Sequence, residues 1–356
     1  MSLSILDLPW LEEAPAGFSQ LCKEVEQGKL ELAPGAALRK LATYRLNGRQ
    51  SLVFSRVLSR LRASGTDLSP LSVFRLGFLS NGTSDLIADC LAAGCARHGV
   101  AVELTVANYD SVMQEALDEG SRINGAKLDA VLVAVDHRWF AGDAAELDGS
   151  HGERVAASLA RLKSVVEGIS AHSGAPAILQ TIPVPSVSLF GSLDRRVPGS
   201  PRWFIHELNQ ALPQLALQTG AYLLDVATLS GQIGGDRWFN SAEWLSYKNP
   251  FSSRCAPIYA DHVGRLLGAI RGKSRKCLVL DLDNTLWGGV IGDDGLQGIK
   301  IGQGNATAEA FLQLQKAAAA LRERGIFLAV CSKNNDDVAR LHFREHPEMF
   351  LREEHI

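Results

Sequence analysis

The hydrophobic rhythm of the chain changes twice along its length. Over residues 1–68 the apolar positions keep helical spacing, as in Leu38-Arg-Lys-Leu-Ala-Thr-Tyr44 and Leu52-Val-Phe-Ser-Arg-Val-Leu-Ser-Arg-Leu61, two stretches separated by Asn47-Gly48. From residue 69 short bulky runs replace that spacing, at 73–79, 100–106, 130–135, 177–182 and 222–226. Amphipathic stretches lie between them, among them 86–97, 154–170 and 203–219. Such alternation predicts a doubly wound parallel α/β sheet that closes between 230 and 270. A third segment opens after the basic stretch 271–276. Its first run, 277–280, predicts a strand buried on both faces of a parallel sheet, and a second buried strand is expected at 326–330. Between them 307–324 predicts a helix with Phe311, Leu314, Ala318 and Leu321 on its apolar face and Gly325 as its stop. Three regions are therefore expected: a helical segment over 1–68, a doubly wound α/β domain over 69–271 and a second α/β domain over 272–356.

Candidate chemistry gathers where the strands of the last segment end. The first runs into Asp281-Leu-Asp283-Asn-Thr285. Side chains two apart on a strand share a face, so both carboxylates are expected in the crevice beyond its carboxyl end. Two acids there cannot both stay charged cheaply, and a bound Mg²⁺ resolves the conflict, since it takes one or two carboxylates together with water and substrate phosphate. Asp281 then suits attack on phosphorus, and Asp283 suits proton transfer to the leaving oxygen and from water. Thr285, with neighbouring N–H groups, suits holding phosphate oxygens. Beyond it Gly288 and Gly289 permit a tight turn, and Gly292-Asp-Asp-Gly295 predicts a hairpin between Val290-Ile291 and Ile299-Lys-Ile301. The second strand ends in Cys331-Ser332-Lys333-Asn334-Asn335, and a helical crossover between the two brings both ends to one crevice. Ser332 suits an N-cap of the next helix. Cys331 is either a small buried hydrophobe or, beside Lys333 and an expected helix start, a thiol with thiolate character.

The tract Leu278-Val-Leu-Asp281-Leu-Asp283-Asn-Thr285 resembles motif I of the haloacid dehalogenase (HAD) superfamily. Its continuation Leu286-Trp-Gly-Gly-Val-Ile-Gly-Asp-Asp-Gly295, together with Cys331-Ser-Lys-Asn-Asn335, resembles the FkbH-like group of that superfamily. The resemblance implies a HAD Rossmann-like fold with a helical turn and hairpin flap after the first strand. It implies Asp281 and Asp283 as catalytic and metal-binding residues, Ser332 as the hydroxyl on the transferring phosphoryl group, and Thr285, Lys333 and Asn334 as substrate-binding. It also implies an activity: a glyceryl unit is taken from 1,3-bisphosphoglycerate, its remaining phosphate is removed, and it is loaded on an acyl carrier protein in polyketide biosynthesis. Cys331 is then the expected acyl relay. The superfamily further uses a later lysine and an acidic pair at a later strand end. No acid over 336–356 ends an apolar strand, so this HAD-like domain is expected to be incomplete at its C-terminus.

The 69–271 region loosely resembles the SGNH-hydrolase-like, flavodoxin-type domain that accompanies FkbH-like proteins. Ser80 and Ser84 follow its first strand, where that family carries a nucleophile. No histidine lies between His206 and His262, where its partner belongs, and His137 is expected on a surface loop, so an active Ser/His esterase is not expected. Two other readings remain: a plain Mg²⁺-dependent HAD phosphatase with Cys331 passive, and a silent module that only docks a carrier protein.

Composition narrows the partners. With 46% hydrophobic and 21% charged residues the chain has apolar material for two cores, and a net charge of −3 without a dense basic run argues against nucleic acid. No run reaches membrane-spanning length and the first residues lack a signal-peptide layout, so a cytoplasmic location is expected. Six cysteines without CxxC pairing fit reduced thiols.

Overall fold

The computed structural model describes residues 4–141 and 151–356. It divides into two compact units, Met1–Lys273 and Ser274–Ile356.

In the first unit a short parallel pair, β1 (Glu12–Glu13) with β2 (Tyr44–Arg45), precedes a five-stranded parallel sheet. The sheet contains β3 (Ser72–Ser80), β4 (Val100–Val106), β5 (Ala130–Ala134), β6 (Ala177–Gln180) and β7 (Tyr222–Leu224) in the order β4-β3-β5-β6-β7. β5 is wholly buried and reads as an unbroken apolar run because helices cover both faces, whereas β3 and β4 admit Arg75 and Glu103. Phe74, Leu76 and Phe78 pack on one side with Val102 and Leu132. Leu79, Val131 and Val133 pack on the other with Val165 and Leu208. A third cluster joins the N-terminal helices to this body, with Phe18, Leu38 and Phe54 against Ala92, Ala93 and Ala96 of the Asp85–Arg97 helix. Asn47, expected as a break, is the N-cap of the Gly48–Ala63 helix. Its side chain accepts from the Gln50 N–H at 3.0 Å, and Gln50 Oε1 accepts from the Asn47 N–H at 2.9 Å.

The Asp85–Arg97 helix crosses the Ala256–Ile270 helix at close range. A β-carbon on Gly94 would lie 2.5 Å from the Ala260 carbonyl oxygen, and one on Gly264 would lie 2.4 Å from that of Gly94. Beside this crossing the fully buried Asp261 accepts from Arg97 (2.5 Å), His98 (2.9 Å) and Arg265 (2.8 Å).

The second unit holds β8 (Cys277–Leu280) and β9 (Phe327–Val330), paired in parallel with Leu280 opposite Val330. The expectation of a first strand buried on both faces is corrected here. Leu280 faces the core, whereas Cys277 and Val279 are exposed. The connecting helix is Ala306–Glu323, capped by the Asn305 side chain. Its buried stripe is Ala308, Leu312, Gln315 and Ala318, while Leu314 and Leu321 are exposed, so the apolar face read from sequence is rotated. A glutamine occupies the core because its amide is fully used. It donates to the Leu286 carbonyl (2.9 Å) and accepts from the Phe350 and Leu351 N–H groups (both 3.0 Å). The expected hairpin is also corrected. Gly288 and Lys300 exchange backbone bonds of 2.9 and 2.7 Å, but the crest between them is helical over Ile291–Gly298, kinked at Gly295. Asp293 and Asp294 lie in its first turn, where carboxylates favour a helix, and Asp294 accepts from the Val290 N–H at 2.8 Å. Among the described residues no helix is long and apolar enough to cross a membrane.

Candidate phosphoryl-transfer site

Two strand ends set the site. Asp281 follows β8 directly and Cys331 follows β9 directly, and the Cys331 N–H donates to the Leu280 carbonyl at 2.9 Å, carrying the ladder to the strand mouths. The chain then turns about Leu282, which is fully buried and whose carbonyl accepts from the N–H groups of Thr285 (3.1 Å) and Leu286 (2.8 Å). Burial of Leu282, Leu286 and Trp287 fixes this turn from beneath, each large side chain contributing about 1.5–3 kcal/mol. Asn284 adopts a left-handed φ of 55°, which asparagine tolerates, and its Oδ1 accepts from the Gly289 N–H at 3.0 Å.

The two carboxylates differ sharply in surroundings. Asp283 is half-buried and well supplied with donors. Its Oδ1 accepts from Trp287 Nε1 (3.1 Å) and the Ile291 N–H (3.0 Å), and its Oδ2 accepts from Asn334 Nδ2 (2.9 Å). Burial by itself would raise this carboxyl. The bonds from Asn334, Ile291 and Trp287, with the nearby His342 ring acting in the same direction, outweigh burial and hold it below the ordinary carboxylate value. Asp281 is exposed, and among the described residues no hydrogen bond or ion pair reaches its side chain.

Asn334 ties the second strand end to the first. Its Nδ2 donates to Asp283 Oδ2 and also to Ser332 Oγ, the latter at 3.0 Å, and its N–H reaches the same hydroxyl at 3.3 Å. Asp283, Ser332 and Asn334 are thus brought into one network. Thr285 is half-buried and Lys333 exposed at its margins, without side-chain hydrogen bonds among the described residues. The N-cap reading of Ser332 is corrected: the next helix is Asp336–Glu345, and its N-cap position is Asn335. Cys331 is exposed, which excludes the buried-hydrophobe reading, and it lies five residues before that helix rather than at its start. Among the described residues no three His, Cys, Asp or Glu side chains converge as a metal-binding group.

Trp287 and His342 are site-supporting residues that the sequence reading missed. His342 is buried, donates from Nδ1 to the Val338 carbonyl (2.8 Å) and stacks on Trp287 with ring centroids 6.1 Å apart. The position of Trp287, four residues after Asp283, was the available signal for its role.

The first unit carries a second polar cluster, where β3 and β5 leave the sheet. The Asn81 carboxamide exchanges two bonds with Asp136, at 3.0 and 2.9 Å, and Arg138 pairs with Asp136 and stacks on Trp244 at 3.8 Å. Ser80 Oγ accepts from the Gly82 N–H at 3.0 Å, and among the described residues neither Ser80 nor Ser84 is hydrogen-bonded to a histidine. His137, expected on a surface loop, is instead half-buried with its ring edge-on to Phe239 at 5.1 Å.

No protein-family model matches the chain, and no curated protein matches it in sequence. Among solved structures it is similar to the N-terminal part of the protein BF1531 from Bacteroides fragilis, which contains a phosphatase domain complexed with Mg. The identity is 26% and the TM-score 0.74, covering 84% of this chain and 79% of that one. It is also similar, at a TM-score of 0.38 and 16% identity, to the lipase/acylhydrolase from Enterococcus faecalis, over 55% of this chain and 96% of that one. The salicylyl-acyltransferase SsfX3 from a tetracycline biosynthetic pathway follows at 0.35 and 15%, over 58% and 56%. Overlaps that low carry no weight for the site.

Proposed function

We propose that the Ser274–Ile356 unit carries a magnesium-dependent phosphoryl-transfer site. The observation that supports it most is the Asn334 amide, which joins Asp283 of one strand end to Ser332 of the other. The similarity to the BF1531 fragment points the same way. One open carboxylate, Asp281, beside a second that is structurally held, without a dense cage, fits Mg²⁺, which keeps several waters and shares its sphere with substrate phosphate. When bound, the ion neutralises charge on the phosphoryl oxygens.

The residues divide the remaining work. An Asp281 oxygen attacks phosphorus, the bond from phosphorus to the leaving oxygen breaks, and Asp283 gives that oxygen a proton. Water then cleaves the aspartyl phosphate and returns a proton to Asp283. A lowered carboxyl suits the second half, as base. The first half needs it protonated, a form that a neighbouring anionic phosphate favours. Ser332 and Thr285 hold phosphoryl oxygens. Hydrolysis of p-nitrophenyl phosphate with Mg²⁺ tests this: EDTA and Asp281→Asn are each expected to abolish release, and a wild-type rate in Asp281→Asn refutes the assignment.

In its fuller form the proposal is FkbH-like. The exposed Cys331 thiol attacks the acyl phosphate of 1,3-bisphosphoglycerate and expels phosphate, Asp281 removes the 3-phosphate, and the thiol of an acyl carrier protein takes the glyceryl group from Cys331. The exposure of Cys331 one residue before Ser332 supports this over passive burial. The intact mass of the carrier after incubation with donor reads the outcome. Loading at the wild-type rate by Cys331→Ala removes the relay and leaves a plain phosphatase.

A further inference from the structure

Between β6 and the Pro201–Thr219 helix the chain forms a long surface loop with an unusual inversion. It is pinned from within. The buried Asp194 accepts from the N–H groups of Leu189 (3.2 Å) and Phe190 (2.8 Å), Ser200 Oγ donates to the Asp194 carbonyl (2.5 Å), and Arg202 donates to the Ser186 carbonyl (2.6 Å). Loops held this firmly ordinarily turn their apolar side chains inward. Here Val187 is 71% exposed, Leu189 62% and Leu193 58%. Several large apolar side chains displayed together on an ordered loop mark an interaction surface, unlike single exposed ones.

The loop also borders an open pocket of about 250 Å³, lined by Pro185, Val187 and Leu189, by Phe204 and Ile205 of the helix, and by His137 and Ala141. At ~30 Å³ per water-sized group this is room for roughly eight heavy atoms, one aromatic or branched aliphatic side chain. On the same loop Arg195 and Arg196 follow Asp194, whose carboxylate holds the Leu189 and Phe190 N–H groups; both arginines are exposed, and among the described residues no carboxylate pairs with either. An apolar pocket on a loop that also carries two exposed arginines calls for an apolar anchor flanked by carboxylates. A lipid surface would also accept protruding leucines and arginines, but it has no use for a one-side-chain socket. Two cations on a chain of net charge −3 do not make a nucleic-acid track.

We propose that the 184–196 surface docks a protein partner that inserts one apolar side chain into this cavity and sets carboxylates against Arg195 and Arg196. Under the proposed function that partner is the acyl carrier protein, and the identity of the partner rests on that reading. The test is titration calorimetry of the full chain with a purified phosphopantetheinylated acyl carrier protein. Leu189→Asp and the double reversal Arg195→Glu/Arg196→Glu are each expected to weaken Kd at least tenfold. Both alter exposed side chains, and an unchanged circular dichroism melt confirms the fold. Added salt should weaken wild-type binding more than that of the double reversal. Wild-type affinity in both variants overturns the docking site while leaving the carrier reading intact. Absence of carrier binding by the wild-type chain sinks both. Loss of phosphatidylserine-vesicle binding in the variants, with carrier binding unchanged, reassigns the surface to lipid and overturns the proposal. Failure of the phosphatase assay alone bears on the other unit and not on this surface.

Discussion

Replacing Asn334 probes the join between the two strand ends directly. Asn334→Ala deletes the donor to Asp283 Oδ2 at 2.9 Å and the donor to Ser332 Oγ at 3.0 Å. A hydrogen bond to a charged group contributes ~1.5–3 kcal/mol and a neutral one ~0.5–1.5. Asp283 keeps its Trp287 and Ile291 donors and is only half-buried, so water replaces part of the loss. The lower end of the charged range applies, and kcat on p-nitrophenyl phosphate is expected to fall about tenfold at ~1.4 kcal/mol per decade. The acid limb of the rate should move to higher pH, because one of the bonds that hold the Asp283 carboxyl low is gone. Asn334→Asp should be far worse. It places two carboxylates roughly 3 Å apart, a repulsion of ~5 kcal/mol at an effective dielectric near 20. The Trp287 indole N–H resonance offers a readout independent of turnover, since that group shares Asp283, and it should shift in Asn334→Asp. Activity of Asn334→Ala within twofold of wild type, or an Asn334→Asp as active as Asn334→Ala, refutes the bridging role.

Two further substitutions address the scaffold. Asp261→Asn leaves the nearly buried Arg97 without its counter-charge and should destabilise the first unit by about 3–5 kcal/mol in urea melts. Burial raises the Asp261 carboxyl, but His98, Arg97 and Arg265 outweigh it and hold it well below its ordinary value. Its stabilisation is therefore complete above the unfolded value of about 3.9 and is lost as pH falls below that, so the gap between variant and wild type should narrow in acid. Gln315→Leu strands the Leu286 carbonyl and the Phe350 and Leu351 N–H groups in the second core, at about 1–3 kcal/mol for each group left unpaired. A lowered melting transition of that unit checks it, and an unchanged one shows that these groups find other partners.

How much of this was legible in the sequence depends on which force sets each feature. The central strands of the first sheet announce themselves because they are covered on both faces, as in Val131-Leu-Val133, and β3 and β4 keep enough apolar positions to be read beside polar ones such as Arg75 and Glu103. The same rule misleads at β8, where Val279 is as apolar as Leu280 yet lies open. Periodicity alone does not tell an apolar residue that is covered from one that is not. The 307–324 helix misled differently: a buried position is Gln315, whose bonds to Leu286, Phe350 and Leu351 span 29, 35 and 36 positions. Pairing at that distance leaves no local trace, and the eye follows Leu314 instead. The 292–295 turn was misread because Gly-Asp-Asp-Gly serves a tight turn and a helix start alike. At the candidate site, the pair Asp281 and Asp283 was legible as a pattern of types, whereas the donors that make one carboxylate unlike the other come from Trp287, Ile291 and Asn334.

That asymmetry bears most on the proposed chemistry. Two carboxylates two residues apart are chemically alike until their surroundings separate them, and acid, base and nucleophile roles follow from the separation. Asp283 has its Oδ1 filled by two donors that accept no proton in return, an indole and a backbone N–H. Proton traffic is thereby confined to Oδ2, the oxygen toward Asn334 and Ser332, where the phosphoryl group is proposed to sit. Asp281 has no donors among the described residues, so nothing fixes its lone pairs in hydrogen bonds, and it is free to meet an ion and a phosphorus atom. A site built the other way round, with Asp281 saturated, would bury its nucleophile in hydrogen bonds and leave its proton carrier untethered. Trp287→Phe distinguishes these orders: it removes one donor from Oδ1 and should reduce proton transfer, read as kcat, while substrate binding, read as KM, stays put.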